Sequence, residues 1–250
     1  MPIKQSFARW CFGKIELRDL CAMAKRIGFD GIDLVDPKEW PILREHGLVC
    51  SLAPSHSLVK GLNDPANHAE CERLLRDAIQ ESAAGGCPNV VCFSGNRGVI
   101  SDEQGILHAA EALKRVAPLA ESENVTVCLE MLNSKDHVGY MADRTQWGVR
   151  VCEMVNSSRV KLLYDVYHMQ RMEGDLVDTL RGNARWIGHI HTAGVPGRHE
   201  LDESQEVHYP AVLSALRELE YAGWIGHEFL PRGDAEQGLR HAFGLVRSAF

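Results

Sequence analysis

No window of the sequence approaches the roughly 20 uninterrupted apolar residues that a membrane helix requires, so no bilayer-spanning helix is expected. The opening residues Met1-Pro2-Ile3-Lys4-Gln5-Ser6 lack the basic-then-apolar layout of a secretory signal. A cytoplasmic protein that makes no membrane contact is the expectation that follows. No Gly-x-Gly-x-x-Gly turn follows the first apolar run and no Walker-type lysine loop occurs, which removes the usual support for nucleotide binding. The eight cysteines, Cys11, Cys21, Cys50, Cys71, Cys87, Cys92, Cys128 and Cys152, include no Cys-x-x-Cys pair. Scattered in this way, in a reducing compartment, they read as small core hydrophobes and argue against disulfides or a thiolate zinc site. Basic residues are also in deficit: 27 Lys and Arg stand against 34 Asp and Glu, a formal charge of −7. Without a broad basic face, no nucleic-acid partner is expected. No Pro/Ser-rich linker, charge block or low-complexity tract divides the chain, so residues 1–250 read as one domain.

What the sequence does contain is alternation. Short runs rich in Val, Ile and Leu recur with helical periodicity between them, the pattern of repeated βα units. The candidate strands are 3–8, 31–35, 48–53, 89–94, 125–132, 160–166, 187–193 and 224–230. Runs such as Val160-Lys-Leu-Leu-Tyr164 are apolar on both faces, which fits parallel strands covered by helices. Between them, 66–85 and 102–121 space Leu74, Leu75, Ala78 and Ile79 and their counterparts three or four apart, as amphipathic helices do. Ser101 and Asp102 can cap one helix, and Gly85-Gly86 can end the other. Eight such units in 250 residues match the size of a closed (β/α)8 TIM barrel within the α/β class. An open doubly wound sheet is the weaker alternative.

In a barrel of this kind the chemistry collects at the C-terminal strand ends. Four successive late runs end there in metal-ligand side chains: Val127-Cys-Leu-Glu130, Leu162-Leu-Tyr-Asp165, His189-Ile-His191 and Gly226-His-Glu228. Any one carboxylate could cap a helix or meet an arginine. Three buried together without a cation would cost several kcal/mol per unpaired ion or be forced to hold their protons. A divalent metal resolves the conflict, and three oxygen donors with one imidazole suit Mn²⁺ first, Mg²⁺ second and Co²⁺ after them. His189 and His191 point to the same side of their strand, so alternation alone does not choose between them; the later one is nearer the rim. Such a centre favours proton movement beside a carbonyl, with Glu130 and Glu228 across the barrel mouth as the pair that removes and returns the proton.

The segments Tyr164-Asp-Val-Tyr-His168-Met-Gln170, Val195-Pro-Gly-Arg198-His-Glu200 and Gly223-Trp-Ile-Gly-His-Glu228 resemble the hydroxypyruvate isomerase family of the xylose-isomerase-like TIM barrel superfamily. The likeness covers most of the chain and is strongest from Glu130 to Gly233. It implies an aldose–ketose type isomerase, an intramolecular oxidoreductase, that interconverts hydroxypyruvate and tartronate semialdehyde or a related small sugar through an enediolate. It further implies Glu130, Asp165, His191 and Glu228 as metal ligands, Glu130 and Glu228 as the acid-base pair, and His168 and Arg198 as contacts to substrate oxygens. In strand seven His189-Ile-His191 is similar instead to the ketose 3-epimerases, which makes an epimerase or related sugar lyase the alternative on the same metal site.

Smaller signals complete the reading. Arg198 could bind a substrate carboxylate in a fork or pair with Glu200 or Asp202. His56, in the loop Pro54-Ser-His-Ser57, could face the substrate, and Arg97 could bind an anion. Trp10 and Phe12 could cover the site but read first as ordinary packing. Barrels of the superfamily often associate, so a homo-oligomer is expected. A DNA endonuclease of the same superfamily disagrees with the acidic balance, and a non-catalytic sugar-binding or partner subunit would have lost one glutamate.

Overall fold

The computed structural model describes residues 3–250. Its strands are β1 (Lys4–Phe7), β2 (Gly31–Ile32), β3 (Val49–Cys50), β4 (Asn89–Cys92), β5 (Thr126–Glu130), β6 (Val160–Asp165), β7 (Ile187–Thr192) and β8 (Trp224–His227). All are parallel to their neighbours, in the order β1-β8-β7-β6-β5-β4 with β2-β3 as a separate pair. Two single parallel bridges, Ala8 with Asp33 and Ala53 with Val90, join that pair to β1 and β4 and close the cylinder. The eight runs are thus staves of one TIM barrel, though two are much shorter than their apolar stretches. β2 stops early because Leu34 takes a left-handed backbone (φ 60°), which a strand cannot continue through.

Nine helices lie among the described residues: α1 (Leu17–Ile27), α2 (Trp40–Glu45), α3 (His68–Gly85), α4 (Asp102–Ser122), α5 (Thr145–Val155), α6 (Val166–Met172), α7 (Leu176–Asn183), α8 (Tyr209–Glu218) and α9 (Ala235–Ala249). Their punctuation follows local chemistry. Ser101 and Gln104 form a reciprocal capping box at the start of α4. Gly86, at φ 76°, ends α3 in the left-handed turn that costs an L side chain most. The 66–85 reading overshoots by two residues because Pro65–Asn67 forms a 3-10 turn before α3 begins. No helix of the described residues is long and apolar enough to cross a membrane.

The main core lies between sheet and helices, where Leu20, Leu75, Leu113, Leu162 and Ile225 have no accessible surface. Full burial of such side chains contributes about 1.5–3 kcal/mol each. Inside the barrel a second, small apolar cluster of Leu52, Val91, Cys128 and Leu163 fills the side formed by β3 to β6. The opposite side is polar: buried Asp33, Ser51, His189 and His191 face one another there. All eight thiols are free and buried, as core hydrophobes would be.

Candidate metal centre

The period of two along a strand carries the donors inward. On the inner faces Cys128 is followed by Glu130, Leu163 by Asp165, His189 by His191 and Gly226 by Glu228, which lies one residue past β8. Register then aligns them: Glu130 is beside Leu163, Asp165 beside His191, and His191 beside Gly226. The result is that Glu130, Asp165, His191 and Glu228 each offer a ligand atom, all within 4.8 Å of one another, and all four residues are buried. His191 Nδ1 lies 3.0 Å from Glu228 Oε2 and 3.8 Å from Glu130 Oε1.

Charge in this group is unbalanced. Arg198, from the loop after β7, donates to Glu228 Oε2 and lies 3.4 Å from Asp165 Oδ2. One guanidinium therefore faces three carboxylates. Burial pushes Asp165 up to about 7, with Arg198 opposing the rise and Glu228 adding to it. Burial likewise raises Glu130. Glu228 goes the other way: burial would raise it, but His191 and Arg198 hold it well below the usual carboxylate range. His191 Nδ1, though buried, makes no hydrogen bond. An orphaned imidazole nitrogen amid three carboxylates opposed by a single guanidinium fits a divalent ion, with Glu130, Asp165, His191 and Glu228 as the residues to hold it.

Around this group the other expected residues divide. His168 has no accessible surface; its Nδ1 receives hydrogen bonds from the Asn133 backbone N–H (3.0 Å) and side-chain amide (2.6 Å). Two donors on Nδ1 require the ring proton on Nε2, which lies 3.6 Å from Asp165 Oδ2 without a hydrogen-bond partner. Burial keeps this imidazole neutral by pushing it well below its ordinary value. Arg198 sits with its guanidinium carbon 5.2 Å from the ring centres of both Trp10 and Tyr167. Glu200 and Asp202, its sequence-level alternatives, are instead taken by Arg232. His56 stands apart: its Nδ1 meets the Ser57 carbonyl at 3.0 Å and its Nε2 accepts from the Phe93 N–H at 3.4 Å, so both nitrogens are occupied by backbone. Arg97 is a loop clasp rather than an anion site, donating to Asp102 at 2.8 Å and to the Tyr140 and Met141 carbonyls.

Two side chains outside the sequence-level site reach the donors. Trp10 Nε1 donates to Glu228 Oε1 at 2.6 Å, while its neighbour Phe12 packs edge-on against Phe7 and Phe229. Asp33 accepts from Nε2 of both His189 (3.1 Å) and His191 (3.2 Å), and of the two only His191 also lies beside the donor carboxylates, through Nδ1. The signal for Asp33 was an acid inside the apolar run 31–35, the same signal that marks Glu130.

The sequence profile described as xylose isomerase-like TIM barrel matches residues 21–249. Hydroxypyruvate isomerase of Escherichia coli K12 is 27% identical over 242 residues, covering 92% of this chain and 93% of that one. 2-Oxo-tetronate isomerase of Cupriavidus necator is 40% identical over 129 residues, 52% of this chain and 49% of that one, so this alignment spans about half the relative's length. Among solved structures, AP endonuclease, family 2 from Brucella melitensis superimposes with a TM-score of 0.85 at 25% identity, over 96% of this chain and 97% of the other.

Proposed function

The chain belongs to the xylose isomerase-like TIM barrel family, and from that premise we propose that it is a divalent-metal-dependent isomerase of small 2-oxo hydroxy acids. Hydroxypyruvate, converted to tartronate semialdehyde, is the leading substrate, and 2-oxo-tetronate is its nearest homologue by the names of the relatives. The observation that carries this reading is the buried set Glu130, Asp165, His191 and Glu228, with ligand atoms within 4.8 Å and one unpartnered imidazole nitrogen. Mn²⁺ or Mg²⁺ held there would supply electrophilic stabilisation of the negative charge that builds on adjacent substrate oxygens.

The rest is the work of the chain. One of Glu130 and Glu228 removes a proton from C3 of hydroxypyruvate, and the other delivers a proton to C2 while the O3 hydroxyl proton passes to O2. Atoms and electrons balance without an outside oxidant, since the product is an isomer. His168, with its proton on Nε2, donates to a substrate oxygen beside Asp165. Arg198 orients Glu228 and offers its remaining N–H groups to the substrate carboxylate. Trp10 and Tyr167 flank Arg198 and limit water at the mouth.

A second reading, a ketose 3-epimerase, is favoured by His189-Ile-His191 in β7 and uses the same pair to remove and replace a proton on opposite faces of one carbon. The two separate in deuterated water. Mg²⁺-loaded protein incubated with hydroxypyruvate, 2-oxo-tetronate or a ketohexose is followed by proton NMR. The expected result is loss of the hydroxypyruvate C3 signal with growth of the aldehyde product, abolished by EDTA and restored by Mg²⁺. Epimerised ketohexose alone would install the second reading, and turnover indifferent to EDTA would overturn both.

A further inference from the structure

Gly226 stands within the segment Gly223-Trp-Ile-Gly-His-Glu228 and pairs with His191 in the β7–β8 register, yet the proposed chemistry assigns it nothing. A Cβ added at Gly226 would lie 2.3 Å from Asp33 Oδ2, 2.9 Å from His191 Cδ2 and 3.1 Å from His189 Nε2. The absent side chain is therefore the room in which a carboxylate beyond β2 meets two imidazoles of β7. Asp33 is fully buried, its Oδ2 holds both Nε2 atoms, and its Oδ1 accepts from the Ser51 hydroxyl. Among the described residues no Lys or Arg pairs with it; the two histidines are its only basic partners.

An ionised carboxylate only accepts, so both Nε2 atoms carry hydrogen. With that N–H committed to Asp33, His191 has only Nδ1 to offer on its other edge, and Nδ1 is the atom that faces Glu228 and Glu130 without a hydrogen bond. His189, whose ring lies 5.0 Å from that of His191 at 87°, anchors the same oxygen from a second direction, so the carboxylate cannot swing away from its partner. We infer that Asp33, His189 and the gap at Gly226 form a buried socket that presets His191 as an Nδ1 metal ligand. Asp33 is then a positioning residue for ion binding, acting through His191. This rests on the reading of the four donors as a metal site.

The test is calorimetric titration of Mn²⁺ into the metal-stripped full-length chain, with circular dichroism to check folding. Wild type should bind one ion, and Asp33→Asn and Asp33→Ala should bind it roughly 10- to 100-fold more weakly. Gly226→Ala, which changes no polar group, should reproduce the loss. Because a variant can fail to fold, ¹⁵N NMR of the Mg²⁺-loaded wild type reads the ring directly, and the His191 proton should be on Nε2. Folded Asp33→Asn and Gly226→Ala proteins that bind Mn²⁺ within twofold of wild type, or a His191 proton on Nδ1, would overturn this inference alone. Two ions per wild-type chain would also overturn it, since Asp33 would then be a ligand itself. A wild type that binds no ion overturns both this inference and the proposed function.

Discussion

Strands β5 to β8 bring all four grouped donors on one continuous sheet, with a single register shift at Leu162/Leu163, whereas β2 and β3 pair over two residues each and meet their neighbours through single bridges. The short arc nevertheless touches the donors, through Asp33 on His191 and, from just after β1, Trp10 on Glu228. The difference separates two physical tasks. Where a ligand atom sits is decided by register, which needs long regular strands. How that atom is oriented and protonated is decided by single hydrogen bonds, which a short stave or a loop can supply.

If that division holds, the late arc carries the largest effects. Glu130→Gln or Glu228→Gln should lower kcat by roughly 10²- to 10⁴-fold, the usual yield of general acid-base catalysis, while the circular dichroism spectrum stays that of the wild type. Activity above a tenth of wild type in either variant would break the comparison. The early arc should show less. Trp10→Phe keeps an aromatic face for Arg198 and removes only the N–H on Glu228; Trp10 is 46% exposed, so water can take its place. A loss of roughly three- to tenfold in kcat/KM is expected, and a loss as large as that of Glu228→Gln would dissolve the distinction between placing and orienting.

The third effect concerns stability and not turnover, and lies where the arcs meet. His227 on β8 bonds Thr192 Oγ1 at 2.8 Å and Gln5 Oε1 of β1 at 3.2 Å. Burial pushes its imidazole from 6.5 down to about 3, against the pull of Asp33. The unfolded chain takes up this proton near 6.5 and the folded chain only near 3, so between those values the unfolded state binds more protons and stability falls as the pH falls. The slope from this one group approaches about 1.4 kcal/mol per pH unit. Denaturant melts of wild type and His227→Gln across pH 7 to 4 read it: the variant should lose the smaller amount, and parallel pH curves would remove His227 from the account.

Sequence periodicity was sufficient for the staves and for the late arc, because each donor there ends an apolar run and alternation sends it inward. It was insufficient for the choice between His189 and His191, which share a strand face and both reach Asp33, more than 150 residues away along the chain, while only His191 also lies beside Glu130 and Glu228. Asp33 itself lies among Asp30 and Asp36 at equal spacing, and only closure of the cylinder distinguishes the acid that points inward. The lengths of β2 and β3 were also illegible, since a left-handed Leu34 carries no composition signal. His56 shows the converse: a polar residue in a plausible loop whose nitrogens are consumed by its own neighbourhood.

Every sulfhydryl of the chain falls between Cys11 and Cys152, so none lies in the arc from β6 to β8. All are buried, and burial raises the thiols of Cys50 and Cys92 well above their ordinary range. An alkylating reagent therefore finds no target while the cylinder is shut. Opening around Cys11, Cys21, Cys50, Cys71, Cys87 or Cys92 leaves a covalent, residue-resolved mark on the β1 to β4 side, while Cys128 and Cys152 report the fifth unit, where Cys128 packs on Leu163 of β6. The barrel carries a built-in clock for the opening of its less regular side.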